Sequence, residues 1–344
     1  MNKGKAFYGH SVFLYDTKNT INISGSKDNF VKLCQELGIQ AIWFRSHGTR
    51  GLYGDPEYNK DIMKRLSDVG ILSAHWGWCQ GKENDCENVN EAIDEYCNFC
   101  DMYIADIEPG VNKSKWTKDS LGDLIDKIKR NDIFLAITTF GFVPWHEPCL
   151  WKHVADKIDG WDIQAYWHHS PNTGIVNQGF AEKTNDPAHY CDVCIREWKK
   201  LISQDAIIHL SGQAYWGEGG FTKIEAEFQW DKFFSDFSGW NKICGFGYWH
   251  LASLAQSHKM MEKLKSVNIQ QYWGDGIIIS DQEIIKTIRY SNIEYSDYVK
   301  EYQVFLKTLG YDIYPDGYAG PMTSNAHRKV FGSYIQGDPR FNCT

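Results

Sequence analysis

The stretch Asp106-Ile107-Glu108-Pro109 closes a short apolar run, MYIADIEP, and is the sharpest chemical signal in the chain. Side chains alternate along a strand, so Asp106 and Glu108 share one side while Ala105 and Ile107 take the other. Two carboxylates about 7 Å apart on one strand repel when both are ionised. In a semi-enclosed site this raises one pKa and keeps a proton donor available near neutral pH. Cleavage of a glycosidic bond needs that pairing: an acid for the leaving oxygen and a second group to stabilise the sugar cation. Trp216 and Trp249 offer flat aromatic faces for a sugar ring. Arg45, His47, His75, Trp76, Trp78, Glu147, His168 and Glu218 also fall where a cleft lining is expected. Each of these histidines reads first as a hydrogen-bonded core or loop residue. No H-E-x-x-H spacing joins His10 and His75 into a metal site, and no G-x-S-x-G is present, though Ser211-Gly212 is a partial echo of one.

The elements that must position these residues repeat along the chain. Apolar or aromatic runs at 6–13, 40–48, 71–78, 102–109, 133–141, 161–169, 206–216 and 243–251 read as strands, and charged helix-period segments separate them. Gly38, Gly70 and Gly160 stand where a glycine ends a helix. Parallel strands need crossover helices, and eight such units in about 260 residues is the count of an α/β fold of the (β/α)8 TIM-type barrel class. A doubly wound sheet is disfavoured, because YGHSVFLYD lacks the Gly-rich phosphate turn. In a barrel the chemistry belongs at the C-terminal strand ends. The expected division is a barrel over residues 1–272, then a linker and a small all-α domain over 273–344.

Composition excludes other classes. The 344 residues carry 36 basic and 44 acidic side chains, a net charge of −8, which leaves no basic footprint for nucleic acid. No window approaches 18 consecutive apolar residues, so no membrane span is expected, and the start MNKGKAFYGH lacks an apolar signal region. The 14 Trp, 19 Tyr and 18 Phe either fill the core or line a carbohydrate cleft. Of ten cysteines, Cys97/Cys100 and Cys191/Cys194 have C-x-x-C spacing but lie in predicted helices, where i and i+3 share a face. Reduced thiols are therefore expected in place of zinc or disulfides, and no cofactor is expected.

The D-x-E at the fourth strand end resembles the signature of barrel glycosidases acting on N-acetylated sugars, the family 25 lysozymes and, more distantly, the family 18 chitinases. Gln164-Ala165-Tyr166-Trp167 is similar to their sixth strand, where a Tyr helps hold the acetamido group. GFGYWHL is similar to their eighth, which places a Trp, here Trp249, beneath the sugar. The resemblance implies Asp106 and Glu108 as the catalytic pair and Gln164, Tyr166 and Trp249 as substrate-binding residues, and Trp216 joins them as an exposed aromatic platform. Family 25 lysozymes begin with an Asp at the end of strand 1. Here the corresponding Tyr8-Gly9-His10-Ser11 puts His10 in that place, toward the substrate. A substrate-assisted reaction remains adequate: the acetamide oxygen attacks, Asp106 orients it, and Glu108 acts as acid and then base.

Residues 298–331 resemble the peptidoglycan-binding module of cell-wall hydrolases. The opening helix VKEYQVFL is followed by Leu309-Gly310-Tyr311 and the turn Asp316-Gly317-Tyr318-Ala319-Gly320-Pro321-Met322-Thr323. Gly317 and Gly320 are expected to permit backbone angles denied to other residues, and Thr323 to cap the closing helix. Tyr311, Asp316, Gly317, Gly320 and Thr323 are the wall-binding candidates the resemblance implies. The closing helix SNAHRKVFGSY departs from the pattern by lacking a terminal Phe-Gln.

Together the two parts imply a peptidoglycan hydrolase that cuts the glycan strand, muramidase or N-acetylglucosaminidase in type. The expected setting is that of a phage endolysin: cytoplasmic synthesis, then action at the bacterial cell wall after release through a holin or delivery on a phage particle. Two alternatives stand beside it: a non-catalytic carbohydrate- or wall-binding protein on a degenerate barrel, and a metal-dependent amidase. The sequence does not fix an oligomeric state.

Overall fold

A computed structural model describes residues 3–108, 116–143, 148–167, 186–217, 221–267, 269, 290–293, 295–308, 311–331 and 334–340. The chain divides into two compact units, Lys3–Ile269 and Gln270–Thr344. In the first, β1 (Gly9–Leu14), β2 (Ala41–Gly48), β4 (Leu72–Cys79), β5 (Met102–Ile107), β6 (Phe134–Phe140), β7 (Gly160–Gln164), β8 (Ile208–Gln213) and β9 (Gly245–Trp249) run parallel. They close into a ring through β1–β2 and β1–β9 pairing. The short β3 (Gly51–Leu52) folds back antiparallel on β2. The fold is thus the (β/α)8 barrel that strand–helix alternation implies.

Helices α1 (Thr17–Ser24) and α2 (Lys27–Glu36) lead to β2, and α3 (Pro56–Ser67) to β4. Helices α4 (Asp85–Tyr96), α5 (Lys118–Lys129), α6 (Pro148–Val154), α7 (Pro187–Leu201) and α8 (Lys223–Asp236) join the later strands, and α9 (Leu251–Leu254) and α10 (His258–Ser266) follow β9. Their starts are set locally. Asp16, Ser26, Asp55, Thr117, Asp186, Thr222 and Ser257 each accept a backbone N–H of the first turn, and Pro56 and Pro187 open their helices.

The barrel interior changes character from one side to the other. Phe7, Phe13, Trp43, Trp76, Met102 and Ile104 pack an apolar half, with Phe7 stacked on Trp43 at 5.9 Å. Ser11, Thr138, Asp162, His209 and Ser211 form a buried polar half. Gly247 makes room for it, since a Cβ there would stand 2.7 Å from Ser11 Oγ and 2.9 Å from the His209 ring. Much of the aromatic excess is core: Trp43, Trp76, Trp151, Trp167, Trp198 and Trp230 are all fully buried. Cys100, Cys191 and Cys194 are buried and Cys97 is exposed, and the eight described cysteines are all free thiols.

In the second unit, α11 (Asp297–Thr308) and α12 (Pro321–Phe331) enclose a core of Val299, Tyr302, Leu306, Ile313, Ala319, Ala326 and Ile335.

Candidate functional site

Parallel pairing in the barrel sets which side chains reach the mouth. Trp78 and Asp106 are register partners, and so are Asp106 and Thr138. Met102 and Ile104 pack inward, so alternation carries Asp106 and then Glu108 up the same inward face to the C-terminal rim. Both carboxylates are partly exposed. Gln164, at the end of β7, donates from Nε2 to Asp106 Oδ1 at 3.1 Å and to Thr138 Oγ1 at 3.2 Å. Among the described residues its Oε1 accepts nothing. Burial holds the Asp106 carboxyl well above the usual carboxylate range, and the neighbouring Glu108 charge adds to this. The Gln164 bond and the Arg45 charge pull the other way.

Trp249, at the end of β9, packs against Trp76 at 5.4 Å and against Phe13 and Tyr15 at 5.6 Å, and remains half-buried. Its peptide bond to His250 is cis. Tyr166 lies edge-on to Tyr215 at 5.5 Å, and burial first, then Tyr215 and the two carboxylates, push its hydroxyl pKa well up. The structure therefore brings Asp106, Glu108 and Gln164 together, with Tyr166 beside them and Trp249 on the same inward face. Trp216 lies after β8 with Lys223 Nζ 5.3 Å above its ring, and no described contact joins it to this group. Glu147, His168 and Glu218 lie outside the described residues.

His10 is not at the mouth, contrary to the expectation from sequence. Residues Lys5–Phe7 form a 3-10 turn and β1 begins only at Gly9, so the inward positions are Ser11 and Phe13. His10 faces outward, with Nδ1 2.9 Å from the Gly38 carbonyl and its ring beside Tyr248. Burial lowers its pKa to about 4. His47 and His75 also turn to the helices. The pairing of β2 with β4 slips between Arg45 and His47, and this bulge sends His47 outward to the Tyr103 hydroxyl at 2.7 Å. His75 meets Ser46 Oγ at 3.1 Å. Burial lowers His47 to about 4 and His75 to about 3, so both are neutral core histidines at pH 7. Among the described residues no three His, Cys, Asp or Glu side chains converge on a metal position.

A second constellation was not read from the sequence. His209 Nδ1 lies 2.7 Å from Asp162 Oδ1, and Ser11 Oγ lies 2.8 Å from His209 Nε2. Ser211 donates to Asp162 Oδ1 at 2.7 Å and Thr138 to Oδ2 at 2.5 Å. The order Ser–His–Asp is that of a nucleophilic triad. Ser11, His209 and Asp162 are at most 0% exposed, however, and a nucleophile must reach its substrate. The set is internal scaffolding that ends, through Thr138 and Gln164, at Asp106.

In the second unit the wall-binding candidates are largely structural. Gln303 Nε2 donates to Asp316 Oδ1 (2.7 Å), the Tyr318 carbonyl (2.9 Å) and Thr323 Oγ1 (2.9 Å), while its Oε1 accepts the Gly317 N–H (2.7 Å). Gly317 adopts φ +81°, as expected. Gly320 does not have a positive φ, and a Cβ there would meet only the movable amide end of the exposed Asn292, 2.6 Å away at Oδ1. Thr323 does not cap the closing helix: α12 starts at Pro321, and the Thr323 hydroxyl is 3.3 Å from the Tyr318 carbonyl. Tyr311 packs on the unit's core, with Lys329 5.9 Å from its ring.

No family model matches the chain, and no curated protein does. Solved structures do. A GH5_18 variant from Bifidobacterium longum subsp. longum, in complex with Manb1-4GlcNAc, aligns over 77% of this chain and 78% of its own at TM-score 0.52 and 11% identity. The GH18 chitinase ChiB of Flavobacterium johnsoniae aligns over 77% and 94% at TM-score 0.48 and 13% identity. The Bacillus cereus spore cortex-lytic enzyme SleL aligns over 75% and 74% at TM-score 0.46 and 10% identity. Two of these structures are named as glycoside hydrolase family members, of GH5_18 and GH18. At such identities the likeness is one of fold, and the chemistry has to come from the site itself.

Proposed function

We propose that the barrel is a glycoside hydrolase acting on the N-acetylated glycan strand of the bacterial cell wall, muramidase or N-acetylglucosaminidase in type. The observation that carries this reading is the inward pair Asp106 and Glu108 at the C-terminal rim, with Gln164 donating to Asp106 and Trp249 on the same inward side. Glu108 gives its proton to the leaving glycosidic oxygen while the substrate's acetamide oxygen bonds to the anomeric carbon. Asp106 accepts the acetamide N–H and stabilises the cyclic intermediate. Glu108 then takes a proton from water, which opens that intermediate and restores the acetamide. Gln164, Tyr166, Trp216 and Trp249 hold the sugar.

The sequence resemblance of residues 298–331 supports docking of the second unit on peptidoglycan. A phage-type lysin, released through a holin or carried on a phage particle, is the setting that fits both parts. The test is a digest of purified peptidoglycan with reducing ends and free amines assayed in parallel. Reducing ends that vanish in Glu108→Gln support the reading, whereas free amines point to an amidase. One observation favours a non-catalytic wall-binding protein: β1 presents Phe13, not a carboxylate, to the mouth. Neither product, with the protein still pelleting on walls, would establish that reading.

A further inference from the structure

A cavity of about 430 Å³ is lined in part by Tyr15, Lys18, Arg45 and Tyr53. Its size is that of a small-ligand site. The Arg45 guanidinium lies against two rings in it, with Cζ 3.9 Å from the Tyr53 ring centroid and 4.5 Å from that of Tyr15. Nε donates weakly to the His47 carbonyl at 3.4 Å. Nη1 is buried with no hydrogen-bond partner among the described residues. Burying a cationic donor unpaired costs free energy that an anionic ligand would recover. The other charges lining the cavity are already committed. Asp16 accepts the Asn19 N–H, Asp55 accepts the Tyr58 N–H, and Lys18 pairs with Asp55 at 2.8 Å.

The cavity belongs to the same mouth. Tyr15 touches both Arg45 and Trp249, and Arg45 Cζ is 5.6 Å from the Trp76 ring on which Trp249 packs. The Arg45 charge also reaches Asp106, whose carboxyl it pulls downward. A sugar lying against Trp249 would therefore direct a substituent toward Arg45. The Tyr15 and Tyr53 rings, with centroids 5.7 Å apart, lie on adjacent sides of the guanidinium, whose donor edge has the geometry that fits a carboxylate.

We propose that Arg45 is the subsite for a carboxylate carried by an N-acetylated hexose, so that the mouth selects an acidic amino sugar over a neutral one. This rests on the proposed glycan-strand activity and names the substrate class for it. The full-length Glu108→Gln variant, which stops turnover, is titrated calorimetrically with an N-acetylmuramic acid–N-acetylglucosamine disaccharide and with its carboxyl methyl ester. The acid is expected to bind about tenfold tighter than the ester. In the added Arg45→Gln background that ratio is expected to fall to about one. Equal affinities with Arg45 intact overturn the proposal without any further variant, as does a preference that survives Arg45→Gln. Absence of binding by either ligand also overturns it. Selective binding of the acid alongside a failed reducing-end assay of the wild type would leave the subsite standing and refute the hydrolase reading alone.

Discussion

Replacing Asp162 removes the acceptor on which three buried donors converge. His209 Nδ1, Ser211 Oγ and Thr138 Oγ1 lie 2.7, 2.7 and 2.5 Å from its oxygens. All three residues are sealed from solvent, so water cannot take the place of the carboxylate. An orphaned buried donor costs roughly 1–3 kcal/mol. The two hydroxyls can turn toward other acceptors, but the imidazole is fixed by its second bond to Ser11. Asp162→Ala is therefore expected to cost about 3–5 kcal/mol, below a simple sum of three. Asp162→Asn keeps one oxygen for His209 and Ser211 and sets an amide against the Thr138 hydroxyl, which already receives Gln164. Its expected cost is about 1–2 kcal/mol. Urea unfolding followed by tryptophan fluorescence measures both, since all tryptophans but Trp273 lie in the barrel segment. An Ala variant within about 1 kcal/mol of the wild type would refute the reasoning, because the donors would then have found partners the geometry denies them. So would an Asn variant as damaged as the Ala variant.

Three further outcomes are expected. Folding raises the Asp106 carboxyl pKa, so the folded state takes up a proton and stability falls as pH rises above the unfolded value of about 3.9. Asp106→Asn should melt above the wild type at pH 7, with the gap closing as pH falls toward about 4, while reducing-end release drops at least about 100-fold. A melting curve at the two pH values checks the sign, and a gap unchanged by pH contradicts it. Trp249→Phe keeps a ring against Phe13 and Trp76 but halves the sugar platform. Glycan affinity should weaken about tenfold, or 1.4 kcal/mol, with little change in melting temperature, as read by titration calorimetry. Gln303→Leu strips four hydrogen bonds from the turn of the second unit and should cost that unit about 2–4 kcal/mol. Limited proteolysis within Gln270–Thr344 should accelerate and wall pelleting should be lost, with the barrel's unfolding transition unmoved.

What was legible in the sequence was local. The Asp106–Glu108 pair needs only the two-residue period of a strand, and the barrel needs only the alternation of strand and helix. Phase errors account for the misplaced histidines. A turn at Lys5–Phe7 starts β1 late and rotates His10 away from the mouth, and a bulge after Arg45 does the same to His47. Neither leaves a composition signal. The Ser11–His209–Asp162 set was illegible because its members are 198 and 47 positions apart and each is unremarkable alone. Only the closure of β1 against β9, and of β7 against β8, puts them in one layer. Gln303 carries no sequence mark as the hub of the second unit, because its partners lie 13 to 20 positions away and meet only when the turn closes.

The packed polar half of the barrel also constrains how this chain can diverge. Ser11, Asp162, His209 and Gly247 fit only as a set: the imidazole needs the carboxylate, and Ser11 and the imidazole need the space that Gly247 leaves. A change at one position strands the others, so descendants should keep all four or exchange several together, for example a hydrophobic residue at 162 with a loss of His209 and a bulkier residue at 247. Arg45, though on β2, makes one long bond to the His47 carbonyl and otherwise ring contacts, so its side chain can change without stranding a buried polar partner. The rim can therefore be retuned from one ligand to another while the interior stays frozen, so that inheritance is stored in the barrel's depth and novelty at its lip.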